Sequence, residues 1–179
     1  AMERRGYLSA GAFVPEVVLE HPEVVSQLHR EFIRAGSDVV QAFTYYGHRE
    51  KLRLIGKENL LEPLQKNALQ IAKDARDEFK DLDLLVCGDV ANTNIYDPND
   101  KKSHSDCQKM YEEQVAWAKE AGVDFVVAET INWTEEMKIA LKAIKDAGLI
   151  AVTNFSIKKG DKTREGHTPG DACKMMEDL

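Results

Sequence analysis

Glu129 is the side chain in this sequence with the clearest chemical purpose. It follows Phe125-Val126-Val127-Ala128 without a break, so a carboxylate closes a run that reads as a buried strand. Such a carboxylate needs a cationic partner or ligand, because an unpaired charge away from water is costly. The structural alternative is a carboxylate held by a neighbouring lysine or by backbone amides. Asp89 is a second acidic candidate, entering a long polar loop with Asn92 and Asn94. Used together, Glu129 and Asp89 would suit acid–base chemistry. Phe43, Tyr45 and Tyr46 follow another apolar run. Aromatic faces attract onium cations, although packing beneath a loop is the commoner use of such residues.

The other reactive residue types form no motif. Cys87, Cys107 and Cys173 lie far apart, with no CxxC and no Cys/His cluster. They read as reduced thiols, buried as small hydrophobes in a cytosolic protein. The five histidines show neither HxH nor HExxH spacing and read as surface or loop residues. Neither GxGxxG nor GxxxxGK[ST] occurs, which weakens a nucleotide-binding reading. Lys158 to His167 is a charged segment over the same strand ends, read as a solvated loop rather than a lid.

The elements that must position these residues repeat. Ala35-Gly36-Ser37-Asp38-Val39-Val40 recurs as Ala121-Gly122-Val123-Asp124-Phe125-Val126-Val127 and, more loosely, as Ala147-Gly148-Leu149-Ile150-Ala151-Val152. Each junction follows helical periodicity and opens an apolar run. Glycine suits the left-handed position past a helix end, and the run reads as a strand buried on both faces. Leu84 to Gly88 is a fourth strand candidate. Helices are expected from Pro22, from Leu60 to Phe79, from Ser105 to Ala121, after an Asn132 or Thr134 cap, and from Pro169. Alternating strands and helices imply a parallel sheet, either doubly wound or part of a (β/α)8 barrel. In both, ligands bind at the carboxyl ends of the strands.

Composition bounds the function. With 179 residues, 43% hydrophobic and 31% charged, the chain suits one soluble domain. A net charge of -7 gives no electrostatic reason to bind nucleic acid or an anionic membrane. No apolar run approaches the roughly 20 residues of a membrane helix, and Ala1 to Gly6 does not read as a signal peptide.

Several blocks resemble the betaine–homocysteine S-methyltransferase family. They are Glu3-Arg4-Arg5-Gly6-Tyr7, Glu20-His21-Pro22-Glu23-Val24-Val25, Gln41-Ala42-Phe43-Thr44-Tyr45-Tyr46, Val123 to Glu129, and Gly166-His167-Thr168-Pro169-Gly170-Asp171-Ala172. The resemblance implies a (β/α)8 barrel that moves a methyl group from an onium donor to homocysteine, giving methionine. It implies a zinc ion, held by three cysteine thiolates, that binds the homocysteine sulfur. By position, Glu129 resembles the glutamate that binds the homocysteine amino group. Tyr46 resembles a donor-pocket tyrosine, with Tyr45 beside it. Phe13 stands in place of a pocket tryptophan, Val14 in place of a threonine, and Thr130 where betaine-using enzymes have another tyrosine. These departures thin the aromatic cage and remove hydroxyls, so the expected donor is an onium compound such as betaine, with other methylated onium donors left open.

The expectation is therefore a single partial barrel domain over residues 1–179. It would lack the family's first strand, its C-terminal units and the zinc-ligand segments (Gly-x-Asn-Cys and Gly-Gly-Cys-Cys). Such a cytoplasmic fragment would be inactive alone, and its open sheet edges would favour homo-oligomers. The alternative is a truncated, non-catalytic paralogue acting as a binding or assembly module.

Overall fold

The computed structural model describes residues 2–7, 15–157 and 160–179. Phe13 and Val14 lie outside the described residues. The chain runs α1 (Val17–Glu20), α2 (Pro22–Arg34), β1 (Val39–Gln41), α3 (Arg49–Leu54), α4 (Leu61–Asp77), β2 (Leu85–Ala91), α5 (Lys101–Ala121), β3 (Phe125–Ile131), α6 (Thr134–Asp146), β4 (Ile150–Phe155) and α7 (Pro169–Glu177). Short 3-10 turns occupy Glu3–Arg5 and Glu58–Leu60.

The junction glycines do what their position requires. Gly36, Gly122 and Gly148 take φ of 98°, 73° and 77°, a region where a Cβ is strained. Pro22 and Pro169 each open a helix, where a missing N–H removes no intrahelical bond. Helix α5 begins at Lys101, four residues before the expected Ser105, because the Asp100 carboxylate accepts the Lys102 N–H at 2.8 Å. Neither expected residue caps α6. Trp133 occupies that position without a side-chain cap, and the Thr134 hydroxyl instead donates to Thr163 at 3.1 Å.

The four strands pair in parallel in the order β1-β2-β3-β4. Spatial order follows chain order without reversal, whereas a doubly wound sheet reverses at a switch point. Val40, Val86, Val90, Val126 and Ala128 join Leu69, Ala72, Tyr111, Val115, Met137 and Ile144 in one core against the helices. Leu85, Ile150 and Val152 remain 43%, 70% and 45% exposed. The strands are thus not buried on both faces, as their apolar runs suggested. One face is sealed by helices, and the other keeps exposed apolar side chains. Unreversed parallel winding with helices outside is the architecture of a partial (β/α)8 barrel.

Candidate functional site

The polar ends of the strands form a continuous layer. Glu129 pairs in register with Ala91 on one side and Asn154 on the other. It lies inside β3, just before a register shift between Glu129 and Ile131. Thr130 occupies that irregularity with φ +60°, the local kink by which a bulge re-aims neighbouring side chains. From β1, the Gln41 amide donates to Glu129 Oε1 at 3.1 Å. No lysine or arginine forms an ion pair with Glu129 among the described residues. Among the described residues, the Gln41 amide rather than a lysine meets this carboxylate.

Tyr45 and Tyr46 turn above the end of β1. Their ring centroids are 4.3 Å apart, tilted by 44°. Burial pushes the Tyr45 phenol up to about 12, and Thr130, Tyr46 and Glu129 are its further neighbours. Tyr45, Thr130 and Glu129 therefore share one neighbourhood. The Tyr46 hydroxyl donates to Asn92 Oδ1 at 3.3 Å, and the Lys51 ammonium lies 4.3 Å from its ring centroid. Tyr46 holds φ +58°.

This turn is held from below. Thr44 Oγ1 donates to the Asp89 carbonyl at 3.0 Å, and Gln65 Nε2 to the Gly47 carbonyl at 2.6 Å. A Cβ on Gly47 would meet Leu64 Cδ2 and the Thr44 carbonyl oxygen, each at 2.9 Å, so only glycine permits this approach. Tyr46, Asn94 and Thr130 are three of the four non-glycine residues with positive φ among the described residues. All three line one polar cavity of about 250 Å³, together with Asn92, Trp133 and Arg164. Strained backbone concentrates where a fold must hold particular side chains in place. A second cavity, of about 390 Å³, runs along β1 and includes Val39, Gln41, Phe43, Tyr45 and Asp89.

Several expectations are corrected. Asp89 sits within β2 rather than in the following loop, and is buried. His29 and His48 are buried rather than superficial, and burial lowers both to about 4. His48 Nδ1 accepts the Lys51 N–H at 3.4 Å and caps α3. Cys173 is exposed, against the expected burial, whereas Cys87 and Cys107 are buried. The segment after β4 is pinned rather than freely solvated. Thr163 is buried, Arg164 donates its N–H to the Asn132 carbonyl at 2.9 Å, and Glu165 Oε1 accepts the Glu135 N–H at 3.0 Å.

The three thiols cannot serve a common metal as they stand. Cys87 lies on β2, Cys107 on α5 beside Thr93 Oγ1 at 3.1 Å, and Cys173 on α7. No His/Cys/Asp/Glu group of three suited to a metal occurs among the described residues.

Glu136 is a buried carboxylate that the sequence reading passed over. Its Oε1 accepts the Thr93 N–H (2.8 Å), the Thr93 hydroxyl (2.6 Å) and the Tyr111 hydroxyl (3.2 Å). It ties the loop after β2 to α5 and α6, beneath the polar cavity. Its one legible signal was helical phase, which puts position 136 beside Met137 and Ala140 on the buried face.

A partial parallel barrel with an acidic, aromatic-edged layer at its strand ends belongs to the class of barrels that bind small ligands there. Comparison with known proteins makes the class specific. Residues 2–179 match the family model for homocysteine S-methyltransferase, and the chain belongs to that family. It is 38% identical over 181 residues to betaine–homocysteine S-methyltransferase 1 of Sus scrofa, covering 98% of this chain and 63% of that protein. Against the Rattus norvegicus protein of the same name, identity is also 38%, with 98% and 43% covered. The chain thus spans less than two thirds of these curated relatives. The metallated form of the homocysteine methyltransferase MmuM from Escherichia coli superposes with a TM-score of 0.83 at 20% identity, over 99% of this chain and 67% of that one. That likeness bears on the fold. No helix of the described residues is long and apolar enough to cross a membrane.

Proposed function

We propose that these 179 residues are one domain-sized part of a cytoplasmic methyltransferase that moves a methyl group from an onium donor to the sulfur of homocysteine, giving methionine. The observation that carries this reading is Glu129: an acceptor near the carboxyl end of β3, oriented by Gln41 at 3.1 Å and without a basic side-chain partner among the described residues. An α-ammonium group supplies the cation that such a carboxylate lacks. Tyr45 and Tyr46 would face the donor, attracting its positive charge without neutralising it. Phe13 and Thr130 are proposed as further residues of the donor pocket. The donor we propose is an onium compound such as betaine, and the thinned aromatic set leaves other methylated onium compounds open.

The transfer itself is a displacement at carbon. The sulfur's electron pair forms the new S–CH3 bond as the bond from methyl to the onium atom breaks, and the leaving group departs neutral. The contribution of this chain is alignment and exclusion of water. Zinc would lower the proton affinity of the homocysteine thiol. The thiols on β2, α5 and α7 do not converge to hold it, so we place its ligands in the additional length that the relatives possess. The test is calorimetric titration of homocysteine into the full-length protein and its Glu129→Gln variant. Weakened binding in the variant supports the reading, and unchanged affinity rejects it.

A further inference from the structure

Asp89 is the buried ionisable group that the reading above leaves unused. It is 3% exposed, and neither carboxyl oxygen has a hydrogen bond of normal geometry. Its polar neighbours come from the two flanking strands: Glu129 on β3 and Gln41 on β1. One N–H of the Gln41 amide is engaged by Glu129 at 3.1 Å, and Gln41's nearness to Asp89 offsets burial and Glu129 only in smallest part. Ionised, Asp89 would be an uncompensated carboxylate facing a second carboxylate, which is doubly unfavourable. Burial first, and Glu129 next, hold its carboxyl well above the usual range. Its strand neighbour Cys87 adds no further negative charge, since burial and then Asp89 push that thiol up to about 12, and a thiol offers no positive one. One arrangement answers all of this. A protonated Asp89 turns an orphaned acceptor into an O–H donor, and Glu129 is the acceptor within its surroundings.

We propose that Asp89 is a positioning residue that, as a neutral acid, donates a hydrogen bond to Glu129 and with Gln41 fixes the carboxylate that meets the amino group of the substrate. This rests on the function proposed above. The pair then carries one negative charge rather than two, matched to a single ammonium. Glu129, which is partly exposed, makes the contact, while Asp89 is closed off from solvent.

The experiment is infrared difference spectroscopy of the full-length protein against its Asp89→Asn variant at neutral pH. The expected result is the carbonyl stretch of a protonated carboxylic acid, lost in Asp89→Asn and shifted by Glu129→Gln. A difference spectrum containing only carboxylate bands overturns the proposal. Homocysteine titration of the same proteins supplies the second reading. Asp89→Asn still donates and retains affinity within about threefold. Asp89→Leu, similar in volume but without a donor, loses about tenfold or more, the scale of a hydrogen bond to a charged group. Equal affinity in both variants, whether kept or lost, overturns the positioning role. If Asp89→Leu does not fold, Asp89→Ala takes its place. If wild type binds no homocysteine, the functional reading fails, and the spectrum still decides whether Asp89 is the donor.

Discussion

Truncation of Glu136 to alanine isolates the clamp beneath the polar cavity. Three buried donors converge on one oxygen: the Thr93 N–H at 2.8 Å, its hydroxyl at 2.6 Å and the Tyr111 hydroxyl at 3.2 Å. The amide is fixed by the backbone and has no substitute acceptor, so leaving it bare costs about 1–3 kcal/mol. The Thr93 hydroxyl can turn to Cys107 Sγ, 3.1 Å away, and the Tyr111 hydroxyl is held in a fully buried ring. About 1 kcal/mol for each hydroxyl is appropriate. Against this, the variant no longer buries a carboxyl that burial itself holds above its usual range. A net loss of about 2–4 kcal/mol follows, or roughly 5–15 °C in Tm for a chain of this size. Urea unfolding of wild type, Glu136→Ala and Glu136→Gln, followed by circular dichroism, measures it. Glu136→Gln keeps an acceptor oxygen and falls by less than half as much. An alanine variant within about 0.5 kcal/mol of wild type, the range of inert surface changes, would refute the reasoning.

Three other outcomes are expected. The Asp89 carboxyl is held above its unfolded value, so its contribution to stability is fully present below the ordinary aspartate range of about 4 and is lost progressively as pH rises toward the raised native value, because the unfolded chain releases a proton that the native one keeps. The Tm of Asp89→Asn relative to wild type therefore climbs from about pH 4 toward neutrality; parallel curves would contradict this. Gly47→Ala forces a Cβ to within 2.9 Å of the Thr44 carbonyl oxygen. It should cost about 1–3 kcal/mol in denaturant unfolding, and an unchanged midpoint would show that the Tyr45–Tyr46 turn is not held there. Ile150→Lys with Val152→Lys places charge on the exposed sheet face. Analytical ultracentrifugation should show weaker self-association with unaltered circular dichroism, whereas unchanged association would absolve that face.

Much of this architecture is legible locally. The glycine junctions, the proline-led helices and the parallel alternation depend on backbone conformation and short-range periodicity, which a sequence displays directly. Glu129 is legible for the same reason: its apolar run has no break before the charge. What escaped reading depends on partners far along the chain. Asp89 passed for the start of a loop because the apolar run stops at Gly88; its place in β2 is set by pairing with Val127 on β3. Glu136 follows Glu135 at a helix start, where acidic residues usually serve the helix dipole in solvent, and its donor Thr93 is 43 residues away. His48 is buried by the turn that carries Tyr46, whose ring centroid lies 5.8 Å from its own. The segment through Arg164 is composed like a solvated loop, yet it is tied to Asn132 and Thr134 by bonds that no spacing rule reveals.

The central claim is that Glu129 is the receptor for an amino group. A thermodynamic cycle tests it most directly. Homocysteine and its desamino analogue 4-mercaptobutyrate are titrated into the full-length protein and into Glu129→Gln, with affinities measured by calorimetry. If the carboxylate meets the ammonium, wild type prefers homocysteine by about tenfold or more, and the variant loses most of that preference while binding the analogue almost unchanged. If the preference survives Glu129→Gln intact, the amino group is bound elsewhere and the claim is wrong.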